Sequence, residues 1–420
     1  MNKYPTYKST NIEWIGDIPE HWEVKKLNYC FRNIGSGTTP TSTKSEYYDN
    51  EGHNWLQTGD LTDNEILETS KKITDLALKD FSTLKFYPKD SIVIAMYGAT
   101  IGKSGILKIE TTTNQACCVM SEPKDLDSKY VFYWFNSIKN HVISLSYGGG
   151  QPNINQEQIR SLKIQLPSIE EQTTIATYLD HKTAQIDNII ANKQKLIALY
   201  EEEKQTIINQ AVTRGIKKDV ALKPSGVEWL GDIPEHWEVK RLKYIVKLIT
   251  EKANGIITKI GLENIESKTG KYIETNSDFE GEGISYLVGD ILYGKLRPYL
   301  AKVWLSEFDG AAVGDFFVLR MREGCLNEYI KFRLLSTSFT EMSNGSTFGA
   351  KMPRVSWEFM SDLYFALPEY SEQKTIFSHI EMECTRLGTL IDKFKAQIEL
   401  FQEYRNTLIS DVVTGKVKVI

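Results

Sequence analysis

Two stretches of the chain carry an apolar residue at every seventh position, with Lys193 the one exception. The first runs on from Leu166-Pro167 and gives Leu179, Ile186, Lys193, Tyr200 and Ile207. The second runs on from Leu367-Pro368 and gives Ile380, Leu387, Phe394, Phe401 and Leu408. Four residues earlier in the heptads sit Ile175, Ile189 and Leu196, and in the second stretch Ile376, Leu390 and Tyr404. This is a coiled-coil seam with polar interruptions. Neither stretch has an interior proline, and Gly388 interrupts only the second. Ser168 followed by Glu171 predicts a capping box at the first helix start. At 1.5 Å per residue each helix reaches about 65–75 Å, longer than a compact domain of this size needs. The pattern predicts two long helices paired as an antiparallel coiled coil.

Outside the heptads the pattern changes to short apolar runs bounded by glycine and polar turns, a mixed α/β reading. The same phrase is written twice: "EWIGDIPEHWEVKKL" from Glu13 and "EWLGDIPEHWEVKRL" from Glu228, an offset of 228 − 13 = 215. The helical stretches repeat with an offset of 201, aligning Glu171-Gln172 with Glu372-Gln373 and Val212-Thr213 with Val413-Thr414. The expected organisation is α+β with a pseudo-twofold internal repeat. Its segments are a module at 1–166, a helix at 167–216, a second module at 217–366 and a second helix at 367–420. If the halves are equivalent, the end of the second helix near Val413 lies close to the first module's start near Lys8. The repeated phrase reads as scaffold: Gly16-Asp17 turns the chain, Pro19 extends Ile18, and Trp14, Trp22 and Trp237 are packed. His21 and His236 lack a catalytic constellation and read as structural.

The material between the repeats has diverged. "KDSIVIAMYGATIGKSGIL" faintly echoes "VGDILYGKLRPYLAKVWL", each with an Asp, an apolar strand, Tyr-Gly and a basic loop. A common frame with independently set surfaces suits a reader of a two-part target. DNA, with its fixed pitch of roughly 34–36 Å per turn, rewards such a ruler.

Composition narrows this further. A chain of 420 residues, 41% hydrophobic and 25% charged, is globular and has more than one domain. The net charge of −5 requires any DNA-binding cations to be concentrated locally or supplied by partners. Five cysteines without a CxxC, and six scattered histidines, argue against a metal site and for a reducing, cytoplasmic setting. No apolar run is long enough to cross a bilayer.

The catalytic motifs fail on inspection. "GATIGKS" at Gly98–Ser104 has three residues between its glycines where a phosphate loop needs four, and "GILKIE" after it reads as a strand. No adenine-methyltransferase NPPF/DPPY sequence and no strand-borne GxGxxG occur. The chain is expected to have no chemistry and no cofactor of its own.

"GVEWLGDIPEHWEVKRL", the "LP…EEQ" helix openings, "GDILYGKLRPYLAK" and "VVTGK" together resemble a type I restriction-modification specificity subunit, over nearly the whole chain. The resemblance implies two target-recognition domains, each reading half of a split double-stranded DNA site, with the helices setting the spacer. It implies two modification subunits carrying S-adenosylmethionine, and restriction subunits using ATP and Mg. A rival reading is a coiled-coil assembly scaffold whose two modules bind proteins. For the first module the candidate DNA contacts are Lys44, Gln57, Tyr97, Lys103, Ser104, Gln151, Asn153 and Asn155. For the second they are Lys295, Arg297, Tyr299, Lys351 and Arg354. Asn and Gln pair with adenine, and Arg with guanine O6 and N7.

Overall fold

The protein is described by a computed structural model covering residues 2–146, 153–217, 219–253, 258–277, 279–346 and 352–419. The chain divides into two compact units, one of residues 1–193 with 396–420 and the other of residues 194–395. Each long helix therefore contributes one part to each unit. The segmentation expected from the repeats instead keeps each helix whole.

In the first unit a five-stranded sheet has the order Phe31–Gly35, Cys117–Pro123, Ile92–Ala95, Ser104–Leu107, Asn64–Ile66; all neighbours are antiparallel except the last pair. The central strand "IVIA" is buried along its whole length because both faces are covered. Its alternation sends Ile92 and Ile94 into a core with Cys118 and Met120. Val93 and Ala95 enter a second core with Cys117 and Val119. The adjacent cysteines thus face opposite ways, which is why they form no disulfide.

The second unit repeats the plan with four antiparallel strands, Val246–Ile249, Phe316–Met321, Ile291–Gly294 and Val303–Leu305. Ile92 pairs with Ile106 and Met120, and Ile291 pairs with Leu305 and Leu319. The offset is 291 − 92 = 305 − 106 = 319 − 120 = 199. This corrects the Tyr-Gly echo. Tyr293 is buried in the sheet at the place of Ile94, and the counterpart of Tyr97 is Leu296.

The long helices are Ile169–Arg214 and Tyr370–Val413, the second unbroken through Gly388. Within the first unit they pair antiparallel, Asp187 with Arg405 at 2.9 Å and Lys193 Nζ with Gln397 Oε1 at 2.6 Å. Within the second unit Tyr200 stacks on Phe394 with ring centroids 6.0 Å apart, and Glu203 meets Arg386 at 3.6 Å. Leu179, Ile186, Ile380, Leu387 and Leu408 of the heptads are buried. Ile189, Leu196 and Tyr404 remain about two-fifths to half exposed.

The duplicated phrase closes each unit on a helix. The Ser168 hydroxyl caps the Glu171 amide as the sequence predicts. The Glu171 carboxylate, however, does not turn back to the cap. It accepts from Tyr4 Oη at 2.7 Å and Trp22 Nε1 at 3.2 Å, and meets His21 Nε2 at 2.9 Å. Those bonds tie the first phrase to the helix start, and His236 meets Glu372 at 2.7 Å in the second unit. Both histidines are structural, as expected. At the other end Tyr7 Oη donates to the Gly415 carbonyl at 3.1 Å, and Asn2 bridges Lys418. The end of the second helix thus lies at the start of the first module.

Candidate nucleic-acid interface

In the first unit the loop between strands Ile92–Ala95 and Ser104–Leu107 is held against the segment that precedes the helix Gln156–Ser161. Ile154 N–H donates to the Met96 carbonyl at 2.9 Å, and an antiparallel bridge joins Tyr97 to Asn153. Ile154 is buried and fixes this contact. Tyr97, 41% exposed, and Asn153, also exposed, are thereby brought side by side on the surface. Asn155 is exposed, but its side chain accepts from the Gln158 amide at 2.8 Å while Gln158 Oε1 accepts from the Asn155 amide. That is a reciprocal helix cap, so Asn155 has a local structural partner.

Lys103 is half-buried, its amide bonded to the Thr100 carbonyl at 2.9 Å. Ser104 departs from the expectation. It already belongs to the strand, its side chain is fully buried, its Oγ has no partner, and its amide donates to Asp63 Oδ1 at 2.9 Å. A side chain so placed cannot meet DNA. The loop is followed by a strand and not by a helix, as the sequence predicts.

Lys44 and Gln57 lie elsewhere in the unit. Lys44 meets Glu46 at 3.7 Å and sits 5.4 Å over the Tyr47 ring. Gln57 lines a cleft of about 550 Å³ with Tyr48, Asn50, Lys71 and Lys72. Nothing in the local sequence distinguishes the two lysines of that cleft.

In the second unit the frame is the same and the chemistry different. Val355 N–H donates to the Lys295 carbonyl at 3.0 Å, and Leu296 bridges Arg354, the counterpart of the Tyr97–Asn153 bridge. Asp315 sits beneath the loop. Arg354 Nη2 reaches its Oδ2 at 2.9 Å and Nε its two oxygens at 3.2 Å, a bidentate pair, while Lys295 Nζ lies 3.8 Å away. The Asp315 carboxylate raises the Arg354 pKa. The first unit has Ala116 at the equivalent place, 315 − 199.

Arg297 is exposed, with no ion pair or side-chain hydrogen bond among the described residues. Its amide donates to the Pro353 carbonyl at 2.7 Å, and its backbone is left-handed at φ +52°. The first unit uses Gly98, φ +69°, at that position. Tyr299 is 45% exposed beside it. Lys302, the counterpart of Lys103, turns inward to the Leu262 carbonyl at 2.6 Å, and burial lowers its pKa. Gln151 and Lys351 lie outside the described residues. Asp315 was missed; its only sequence signal is an acidic residue between a Gly and a strand.

Among the described residues no cluster of His, Cys, Asp and Glu could hold a metal, and no helix is long and apolar enough to cross a membrane.

Residues 19–199 match the model of the type I restriction modification DNA specificity domain. The MjaVIII specificity subunit of Methanocaldococcus jannaschii is 23% identical over 98% of this chain and 97% of its own length. The MjaIX specificity subunit of the same organism is 26% identical over 98% and 96%. The fold is shared with a chain solved in a study of complex assembly and conformational transition of the type I R-M system. That match has a TM-score of 0.73, with 12% identity over 95% of this chain and 99% of that one. It is shared too with the HsdS subunit from Thermoanaerobacter tengcongensis, at a TM-score of 0.56, with 12% identity over 95% and 98%. With the duplicated phrase, the paired helices and likeness along nearly its whole length, the chain is similar to the type I restriction-modification specificity subunits.

Proposed function

We propose that each unit reads one half of a bipartite double-stranded DNA site through the loop pair bridged at Tyr97–Asn153 or Leu296–Arg354, with the two long helices setting the spacer. The supporting observation is that one backbone frame carries unlike chemistry at equivalent positions. Tyr97, Gly98 and Asn153 stand where Leu296, Arg297 and Arg354 stand in the other unit. An amide matches the paired donor and acceptor of adenine, and a guanidinium matches the paired acceptors of guanine. The functional modules are residues 1–166 and 217–366, with helical regions 167–216 and 367–420.

The chain works with two modification subunits, which supply S-adenosylmethionine and the methyl-transfer chemistry, and with restriction subunits, which supply ATP- and Mg-dependent chemistry. Base extrusion for methylation falls to the modification subunit.

The test is reconstitution. The chain is mixed with the methyltransferase of its system, and N6-methyladenine is mapped on a library of split sites. Methylation of one bipartite sequence only when this chain is present supports the reading. Equal methylation without it, or a requirement for a single uninterrupted site, overturns the reading and favours the protein-assembly scaffold.

A further inference from the structure

The two units share a turn at Gln57 and Gly261, and only the first leaves a cleft beside it. The Asn114 amide donates to the Leu56 carbonyl at 3.0 Å and the Val313 amide to the Ile260 carbonyl at 2.8 Å, so Gln57 and Gly261 are counterparts. The residue three further on closes each turn. Asp60 Oδ2 accepts from the Gln57 amide at 2.8 Å, and Asn264 Oδ1 from the Gly261 amide at 2.9 Å. In the second unit the space beside the turn is filled, because a Cβ on Gly261 would fall 2.2 Å from the Phe279 ring. In the first unit the Gln57 side chain lines the open cleft of about 550 Å³.

That cleft holds its donors in place. The other Asp60 oxygen accepts from the Ser70 amide at 3.1 Å, the Trp55 amide donates to the Lys71 carbonyl at 3.1 Å, and Lys72 pairs with Asn54. Asp60 thus fixes the segment carrying Lys71 and Lys72 against the one carrying Gln57. Neither lysine has an ion pair among the described residues. With Ser42 and Asn50 they set two ammonium groups, two carboxamides and a hydroxyl against a single carboxylate, that of Asp49. In the second unit Asn264 Nδ2 donates instead to the Ile273 carbonyl at 3.1 Å and to Thr275 Oγ1 at 2.9 Å, and residues 273–276 contain no lysine.

An excess of donors selects an anion. A base is the poorer occupant, since it needs a ring face to stack on. Trp55 is 1% exposed, and Tyr48 meets it edge-on at 5.8 Å with its Oη donating to the Pro40 carbonyl at 2.7 Å. The cleft also adjoins the reader loop. Thr39, on its rim, donates through Oγ1 to Gln115 Oε1 at 2.6 Å, and both residues are exposed. The next carbonyl, that of Ala116, accepts at 2.8 Å from the amide of Met96, the residue before Tyr97. One short segment therefore has the cleft on one side and the Tyr97 loop on the other.

We infer that Lys71 and Lys72, with Gln57, hold a backbone phosphate of the DNA at the half-site read by the first unit, and that the second unit has no such anchor at this place. The inference rests on the function proposed above and deepens it, because the two half-sites are then gripped unequally. A chain of net charge −5 needs cations concentrated in this way to hold DNA.

The experiment uses the full chain assembled with its modification subunit. Affinity for a duplex bearing the split site is measured between about 0.1 M and about 1 M salt, and each phosphate contact contributes about 0.9 to the slope of log K against log salt. Lys71→Ala with Lys72→Ala should lower that slope by about 1.8, so that binding is about 60-fold weaker at about 0.1 M and unchanged at about 1 M. Base preference in both half-sites should stay as in the wild type. Melting temperatures should match, because neither lysine has a partner to lose. Gln57→Phe, which fills the cleft as Phe279 fills its counterpart, should act like the lysine variant without any change of charge. Lys85→Ala with Lys89→Ala, exposed lysines of the same unit outside the cleft, should leave the slope near the wild-type value. Uncharged methylphosphonate linkages should weaken the wild type more than the Lys71 and Lys72 variant around one half-site only. An unchanged slope, an equal loss from the Lys85 and Lys89 variant, or an altered base preference would overturn the anchor while leaving the proposed function standing. A wild-type assembly with no preference for a split site would overturn the proposed function itself.

Discussion

Arg297→Gly separates the cost of holding a reader from its use. Arg297 sits at φ +52°, ψ +64°, where an L side chain is strained by about 1–2 kcal/mol. The equivalent Gly98 occupies φ +69° without that strain. Glycine loses about 0.5–1 kcal/mol more on ordering. The substitution should therefore raise stability slightly, by about 0.5–1 kcal/mol, since the Arg297 side chain has no bond to lose among the described residues. The amide bond to the Pro353 carbonyl is kept. Recognition should move the other way. A lost bidentate guanine contact costs about 1–3 kcal/mol of discrimination, roughly 5–150-fold at 1.36 kcal/mol per tenfold. Urea denaturation measures the first effect, and methylation of competing oligonucleotides with single changes in either half-site measures the second. A loss of stability, or an equal loss on both half-sites, would refute the argument that strain here is retained for a base contact.

Three further substitutions or treatments follow from the same geometry. Ser104→Ala should leave sequence recognition unchanged and stability equal or up to about 1 kcal/mol higher, because it removes a buried hydroxyl with no partner; a half-site defect would return Ser104 to the interface. Gly415→Ala should destabilise by about 1–3 kcal/mol more than Gly215→Ala in calorimetry. Both glycines sit at φ +77°, but a Cβ on Gly415 meets Pro19 at 2.5 Å, whereas on Gly215 it meets Trp237 at 3.4 Å. Cys117 and Cys118 should resist maleimide at pH 8 until the protein unfolds. Burial pushes both thiols up, Cys118 to about 12, so the reactive thiolate is absent, and mass spectrometry of the native protein would show any early labelling.

The frame was legible because it is written twice and because period and length act locally. The heptads placed the helices within a few residues of Ile169–Arg214 and Tyr370–Val413. What sequence reading missed was set by long-range pairing. Tyr293-Gly294 and Tyr97-Gly98 look alike, yet strand register decides equivalence, and it puts Tyr293 in the core and Tyr97 on the surface. Ser104 reads as part of a loop, but pairing with Ile94 draws it into the sheet. Glu171 serves the helix cap only through its amide. Its carboxylate answers Tyr4, His21 and Trp22, about 150 residues away, a partnership no local pattern signals. Asp315 escaped notice because its meaning comes from Arg354, on a distant segment.

How the loops could diverge without unfolding the units follows from what the frame grips. Gln172, almost fully buried, donates to the carbonyls of Asp125 and Pro167 and accepts from the Asp127 amide. Gln373 does the same with Gly324, Pro368 and Leu326. Every one of these six partners is a backbone group, the four carbonyls present in any residue and the two amides in any residue but proline. Tyr130 likewise donates to the carbonyls of Gln165 and Val413, and Tyr329 to those of Ala366 and Val212. A scaffold that grips backbone leaves the side chains of the loops between its grips free to change. The energetic penalty for a new surface is then confined to the loop, as with the strain at Arg297, and does not reach the helix ends. Exchange of residues 96–103 between relatives should for that reason alter half-site choice while leaving the Gln172 bonds, and the closure of the unit on its helix, in place.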